Sequence, residues 1–200
     1  GTAMSFEQNV RQVIPYVPGE QPIGKGIIKL NTNECPYPPA PGVEKASKLF
    51  QTDLLRLYPD PTIGELSQAL ADYYQVKKEQ VFVGVGSDDV IAMAFMTFFN
   101  SDKPILFPQN TYSFFDVWAN LFRIPYKTLP LDENLRIKME DYLIPNGGII
   151  IANPNAPTGQ FESVSDLEKI IAANPDVVVI IDEAYVDFGG ESCIPLLSKY

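Results

Sequence analysis

Residues 147–155 (GGIIIANPN) and 177–185 (VVVIIDEAY) flank the segment SVSDLEKIIAAN at 163–174. Both outer runs are continuously apolar rather than alternating, the pattern of strands covered on two faces, and the segment between them reads as a helix. The same unit recurs upstream. PILFPQ (104–109) is followed by TYSFFDVWANLF, and VFVGVG (81–86) by SDDVIAMAFMTFF, a helix beginning at Ser87. Apolar strands separated by helices predict an α/β domain, a mostly parallel sheet with helices on both faces.

Further upstream the pattern turns helical. VEKASKLF places Val43, Ala46, Leu49 and Phe50 on one face, and the prolines of RLYPDP (56–61) then interrupt it. TIGELSQALADYY (62–74) opens with Thr62 and carries Glu65 three residues on, a capping-box pattern. Residues 6–41 are rich in Pro and Gly but interleave Tyr16, Ile23, Ile27, Ile28, Leu30 and Tyr37, which favours a packed arm over a flexible tail. Residues 1–4 (GTAM) read as a cloning remnant ahead of the native start. The expected organisation is remnant and arm over 1–41, then one α/β domain portion over 42–200.

A formal net charge of −10 argues against nucleic acid or an anionic membrane as the main partner, since both reward clustered Lys and Arg. The chain has no histidine, which removes Ser-His-Asp and Cys-His nucleophilic sites and the usual zinc sites together. Cys35 and Cys193 form no CxxC pair, consistent with a reducing compartment. No run approaches the ~18 apolar residues of a membrane span, and no signal-peptide core follows Met4. A cytoplasmic location is the expectation.

In open α/β sheets ligands gather outside the carboxyl ends of the strands, so the polar residues there are the candidates. Gly84-Val85-Gly86-Ser87-Asp88-Asp89 runs a strand into a glycine turn and then a helix start, whose unpaired amides form an anion site. An ordinary capped helix start has the same appearance. The pattern lacks the third glycine of GxGxxG, which disfavours a dinucleotide site. At 108–113 (PQNTYS), Tyr112 offers an aromatic face for a flat ligand, or simple packing. At 153–159 (NPNAPTG), two prolines, two asparagines and a glycine make a rigid turn, structural or ligand-contacting. Asp182 follows a buried apolar run, where an ionised carboxylate is costly without a partner. A cationic ring nitrogen would supply one. Backbone amides or a metal are the rivals, although Asp182 and Glu183 would point to opposite faces of a strand.

GVGSDD, NTY, NPNAPTG and DEAYVDF stand in the order seen in fold-type I pyridoxal-phosphate aminotransferases, and NTNECPY and RLYPDP narrow the resemblance to the histidinol-phosphate aminotransferase family. The resemblance runs from about residue 13 to residue 200. It implies that Ser87 and Asp88 hold the phosphate of pyridoxal 5'-phosphate, that Tyr112 stacks on its ring, that Asp182 pairs with the pyridinium nitrogen, and that Tyr185 bonds the phenolic oxygen. It implies also that Tyr58 reaches the cofactor phosphate of the other subunit of a homodimer, and that Tyr16 and Asn33 close over the substrate.

Two positions depart from the family pattern. The residue directly before Pro-Thr-Gly, an asparagine in the family, is Ala156, which leaves Asn155 as its candidate replacement. The arm's usual NEN is Asn33-Glu34-Cys35. The family's Schiff-base lysine lies about thirty residues beyond the aspartate, whereas eighteen residues follow Asp182 here. The catalytic lysine is therefore expected outside these 200 residues, and the chain alone is expected to be inactive.

The implied reaction exchanges an amino group between histidinol phosphate and imidazole-acetol phosphate with glutamate and 2-oxoglutarate, in histidine biosynthesis. The substrate partner would be a small phosphorylated amino alcohol or keto compound. A related aminotransferase or a threonine-phosphate decarboxylase is the alternative within the superfamily. A non-catalytic domain that binds a phosphorylated ligand is the alternative of another class.

Overall fold

The computed structural model describes residues 5–200, so the reading of residues 1–4 lies outside the described residues. The chain forms two compact units. One comprises the residues up to Tyr16 together with Val83–Tyr200, and the other is Val17–Phe82.

The larger unit is built on four parallel strands: β1 (Ile105–Pro108), β2 (Tyr126–Leu129), β3 (Ile149–Ala152) and β4 (Val179–Asp182). Their order across the sheet is β2-β1-β3-β4. Ile105 pairs with Tyr126, Leu106 with Ile149, and Ile149 with Val179. The helices here are α3 (Gly86–Phe98), α4 (Phe115–Leu121) and α5 (Val164–Ala173), whereas α1 (Pro41–Leu49) and α2 (Gly64–Tyr74) belong to the smaller unit. Alternate strand residues feed two cores. Ile105, Phe107, Ile150 and Ala152 pack with Ile91 and Phe95 of α3 and Phe115 and Ala119 of α4. Leu106, Ile149 and Ile151 pack on the other side with Tyr142 and with Leu167 and Ile170 of α5. This is the α/β architecture that the apolar runs predict, with helices on both faces.

The connection from β1 leads outward to β2, whereas that from β3 leads the opposite way to β4. The carboxyl ends of β1 and β3 therefore form a topological switch point, where departing loops diverge and leave a crevice.

Residues 81–86 were expected as a strand, yet they pair with no neighbour among the described residues, and Phe82 and Val85 are exposed. An apolar run forms a strand only where another strand supplies ladder partners. Conversely, β2 (YKTL) gave no apolar run, because this edge strand buries only Leu129 fully.

In the smaller unit, α1 spans Pro41–Leu49 and α2 Gly64–Tyr74. The expected Thr62–Glu65 capping box is absent; Ile63 at the N-cap has φ 49° and no side-chain cap. Asp60 does the work instead. Its Oδ2 accepts from Gly64 N at 2.9 Å and its Oδ1 from Thr62 N and Thr62 Oγ1, which holds its carboxyl below the ordinary value. The arm is packed only in part: Tyr16 is half-buried, while Ile23, Ile28, Leu30 and Tyr37 are exposed.

Candidate functional site

The polar residues at the strand ends converge on a hollow of ≈ 80 Å³ lined by Ser87, Tyr112, Ala152, Pro154, Ala156, Asp182, Ala184 and Tyr185. Four of the residues singled out in the sequence, Ser87, Tyr112, Asp182 and Tyr185, are thus brought together from segments nearly a hundred residues apart.

Asp182 ends β4 in the same parity as Ile180, which packs toward the α3 and α4 face. Burial raises its carboxyl above the ordinary value; the Ala184 N–H opposes this, and the neighbouring Asp88 and Glu183 carboxylates reinforce it. That N–H, 3.1 Å from Oδ1, is its one side-chain hydrogen bond among the described residues, and no cation pairs with it. A desolvated carboxylate so poorly supplied with donors is suited to a cationic ligand. Glu183 points elsewhere and accepts from Ser192 Oγ at 2.7 Å and Cys193 N at 2.6 Å.

Gly86 opens α3 at φ 82°, a conformation that favours glycine. Val85 at the N-cap contributes no side-chain bond, while Asp89 Oδ2 takes the Val85 N–H at 2.8 Å. The amides of the first turn and the Ser87 hydroxyl together suit an anion such as a phosphate. The Asp88 side chain is engaged by protein: its Oδ1 accepts from the Tyr112 hydroxyl at 2.9 Å. Tyr112 is itself pushed well above its ordinary value, by burial first and then by that bond.

Asn155 does not line the hollow; Ala156 does. The Asn155 amide donates to Asn110 O at 2.8 Å and Thr158 Oγ1 at 3.0 Å, so both its hydrogens are engaged, and its Oδ1 accepts from Thr111 Oγ1 at 2.7 Å. Tyr16 stacks on Phe114 at 4.4 Å and lies 6.5 Å from Tyr112, centroid to centroid. Asn33, at φ 52°, and Tyr58 are both exposed and belong to the Val17–Phe82 unit. Thr111 lies within the NTY motif but was not singled out in the sequence, because the role of a loop threonine depends on a partner 44 residues away.

A larger hollow of ≈ 560 Å³ lies beside β4, lined by apolar residues such as Val179, Ile181, Cys193 and Leu196. Its one carboxylate, Glu183, is already held by Ser192 and Cys193, so polar chemistry belongs to the smaller hollow. Among the described residues no helix is long and apolar enough to cross a membrane.

The model of the family aminotransferase class I and II matches residues 25–200. The chain belongs to this family. Histidinol-phosphate aminotransferase of Lactococcus lactis subsp. cremoris is 50% identical over 197 residues, covering 98% of this chain and 55% of its own length. That of Pseudomonas syringae pv. syringae is 52% identical over 191 residues, covering 96% and 55%. The resemblance drawn from the motifs is thereby matched over nearly the whole sequence, although the chain spans only 55% of the length of these relatives. The crystal structure of histidinol-phosphate aminotransferase from Sinorhizobium meliloti in complex with pyridoxal-5'-phosphate superposes with a TM-score of 0.68, over 74% of this chain and 42% of that one. At 23% identity this likeness speaks to the fold.

Proposed function

We propose that this chain is the cofactor-binding part of a pyridoxal-phosphate-dependent aminotransferase that acts on histidinol phosphate and imidazole-acetol phosphate, with glutamate and 2-oxoglutarate, in histidine biosynthesis. The observation that carries the reading is Asp182: a desolvated carboxylate without a cation, opening into the same hollow as an aromatic face and a helix N-terminus. Bound pyridoxal phosphate supplies a ring that withdraws electrons from the substrate's α-carbon.

Each residue then has a task set by its chemistry. The first amides of α3 and the Ser87 hydroxyl hold the phosphate. Tyr112 covers a face of the ring, and Asp182 keeps the ring nitrogen protonated by pairing with it. Tyr185 donates to the phenolic oxygen, and Tyr16 stands beside Tyr112 on the substrate side. Asn155, whose donors are committed to protein, supports the wall rather than the ligand. Residues 42–200 are assigned to the cofactor-binding domain, and the arm and Tyr58, with their exposed apolar side chains, to the contacts of a homodimer.

The test is the affinity of the full-length protein for pyridoxal phosphate, measured from the absorbance of the bound cofactor. Asp182→Asn removes the negative charge with little change of shape, and affinity is expected to fall by about two orders of magnitude. An unchanged dissociation constant and spectrum would refute the pairing.

A further inference from the structure

Two loops depart in opposite directions from the switch point, and one amide joins them. Thr111 Oγ1 donates to Asn155 Oδ1 at 2.7 Å, while Asn155 Nδ2 donates back to Asn110 O at 2.8 Å. The second amide hydrogen goes to Thr158 Oγ1 at 3.0 Å, within the 153–159 turn. The clasp thus grips two consecutive residues of the loop after β1 from the loop after β3. Its neighbours in sequence are the walls of the hollow: Tyr112 follows Thr111, and Pro154 and Ala156 flank Asn155. Where the family's motif offers an asparagine amide directly before Pro-Thr-Gly, this chain has a methyl group, and the adjacent amide is turned toward protein.

We infer that the Thr111–Asn155 clasp is a positioning device, which fixes the loop that carries Tyr112 relative to the 154–156 turn where both border the hollow. This rests on the reading of the hollow as a pyridoxal-phosphate site. Thr111 and Asn155 are positioning residues that need not touch the cofactor. A part-buried side-chain bond between two loops removes freedom that binding would otherwise have to remove, so the clasp acts through preorganisation.

The experiment compares Thr111→Val, which keeps the shape and drops the hydroxyl, with Thr111→Ser, which restores it, with Asn155→Ala and with the double variant, in the full-length protein. Pyridoxal-phosphate affinity is read from the absorbance of the bound cofactor, alongside melting temperature. Thr111→Val is expected to weaken binding about three- to ten-fold. Thr111→Ser should return it to within about two-fold of wild type, and the double variant should bind no more weakly than Asn155→Ala alone. Wild-type affinity in Thr111→Val, failure of Thr111→Ser to recover it, or multiplying effects in the double variant would each overturn the clasp. Should Thr111→Val not fold, Asn155→Leu removes the acceptor and both donors with little change of volume or charge, so weaker binding supports the clasp and unchanged binding overturns it. A wild-type protein that takes no cofactor removes the reading of the hollow and the clasp together, whereas normal wild-type binding with an indifferent Thr111→Val removes the clasp alone.

Discussion

The Tyr112 hydroxyl donates to Asp88 Oδ1 at 2.9 Å and ties the loop after β1 to the first turn of α3. Burial and the Asp88 carboxylate raise the phenol above its ordinary value of 10.0, so it stays neutral and remains a donor at physiological pH. The ring of Phe115, 5.7 Å away and perpendicular to it, restrains the plane of the Tyr112 ring. Tyr112→Phe keeps the ring and leaves Asp88 one donor short, and cofactor affinity is expected to fall by about ten-fold or less. Tyr112→Ala removes the stacking face as well and should cost clearly more. Titration of both variants with pyridoxal phosphate decides the matter; equal affinities would leave the stacking role unsupported.

Asp182 makes stability depend on pH in a direction opposite to that of a salt-bridged aspartate. Its folded-state value is raised by burial, whereas the unfolded chain keeps the ordinary 3.8. Above 3.8 the unfolded state gives up the proton more readily than the folded one. The cofactor-free protein therefore loses stability as pH rises from 3.8 through the raised value. Asp182→Asn abolishes this term. Without cofactor, the variant should melt above wild type at about pH 7 and close to it at about pH 4. Excess cofactor should reverse the order at neutral pH, because only the carboxylate pairs with the ring nitrogen.

Beneath the hollow a second polar layer holds the strand ends. The backbone N–H of Asn153 donates to Asp182 O at 2.8 Å, and its buried side chain both donates to Glu162 O and accepts from Glu162 N. The Glu162 carboxylate, on a residue only 8% exposed, takes two bonds from Arg136, at 2.9 and 3.0 Å. Asn153→Ala strands the Glu162 backbone groups in the interior, an expected loss of about 2–3 kcal/mol. Arg136→Ala leaves Glu162 as an unpaired, mostly buried charge, an expected loss of about 2–4 kcal/mol. Urea unfolding measures both. A loss under about half a kcal/mol for Asn153→Ala would mean that water replaces the side chain.

How far the sequence foretold these features depended on how local their causes were. β3 and β4 were legible because Ile149–Ile151 and Val179–Ile181 are apolar on both faces, and Asp182 stood out as a charge at the end of such a run. Ser87, Tyr112 and Tyr185 were singled out from the ends of apolar runs and by family resemblance, and the fold brings them to one hollow. β2 escaped because an edge strand needs little apolar surface, and 81–86 misled because a strand is defined by its partner. The capping box failed for a similar reason: Asp60, two residues before Thr62, takes the Thr62 N–H that the Glu65 side chain would have bonded, and the Gly64 N–H with it. The direction taken by Asn155 could not be read at all, since it depends on Asn110 and Thr111 across the switch point.

Gly148 offers a test of the core that is independent of any ligand. It sits at φ 147°, where its N–H donates to Asn146 Oδ1 at 2.9 Å and its carbonyl accepts from Leu106 N at 2.9 Å, so both ends of the peptide are fixed. A Cβ there would lie 2.2 Å from Phe99 Cε1 and 2.5 Å from Cδ1. The Phe99 ring cannot withdraw, because it is 2% exposed and packed on Phe95 at 5.0 Å. Gly148→Ala therefore combines backbone strain with overpacking, for an expected loss of about 3 kcal/mol or more. Gly159, at φ 72°, would meet nothing within 4 Å, so Gly159→Ala incurs strain alone, about 1–2 kcal/mol. Comparing the urea midpoints of the two variants separates these contributions, and a Gly148→Ala protein as stable as Gly159→Ala would show that the Phe95–Phe99 layer yields.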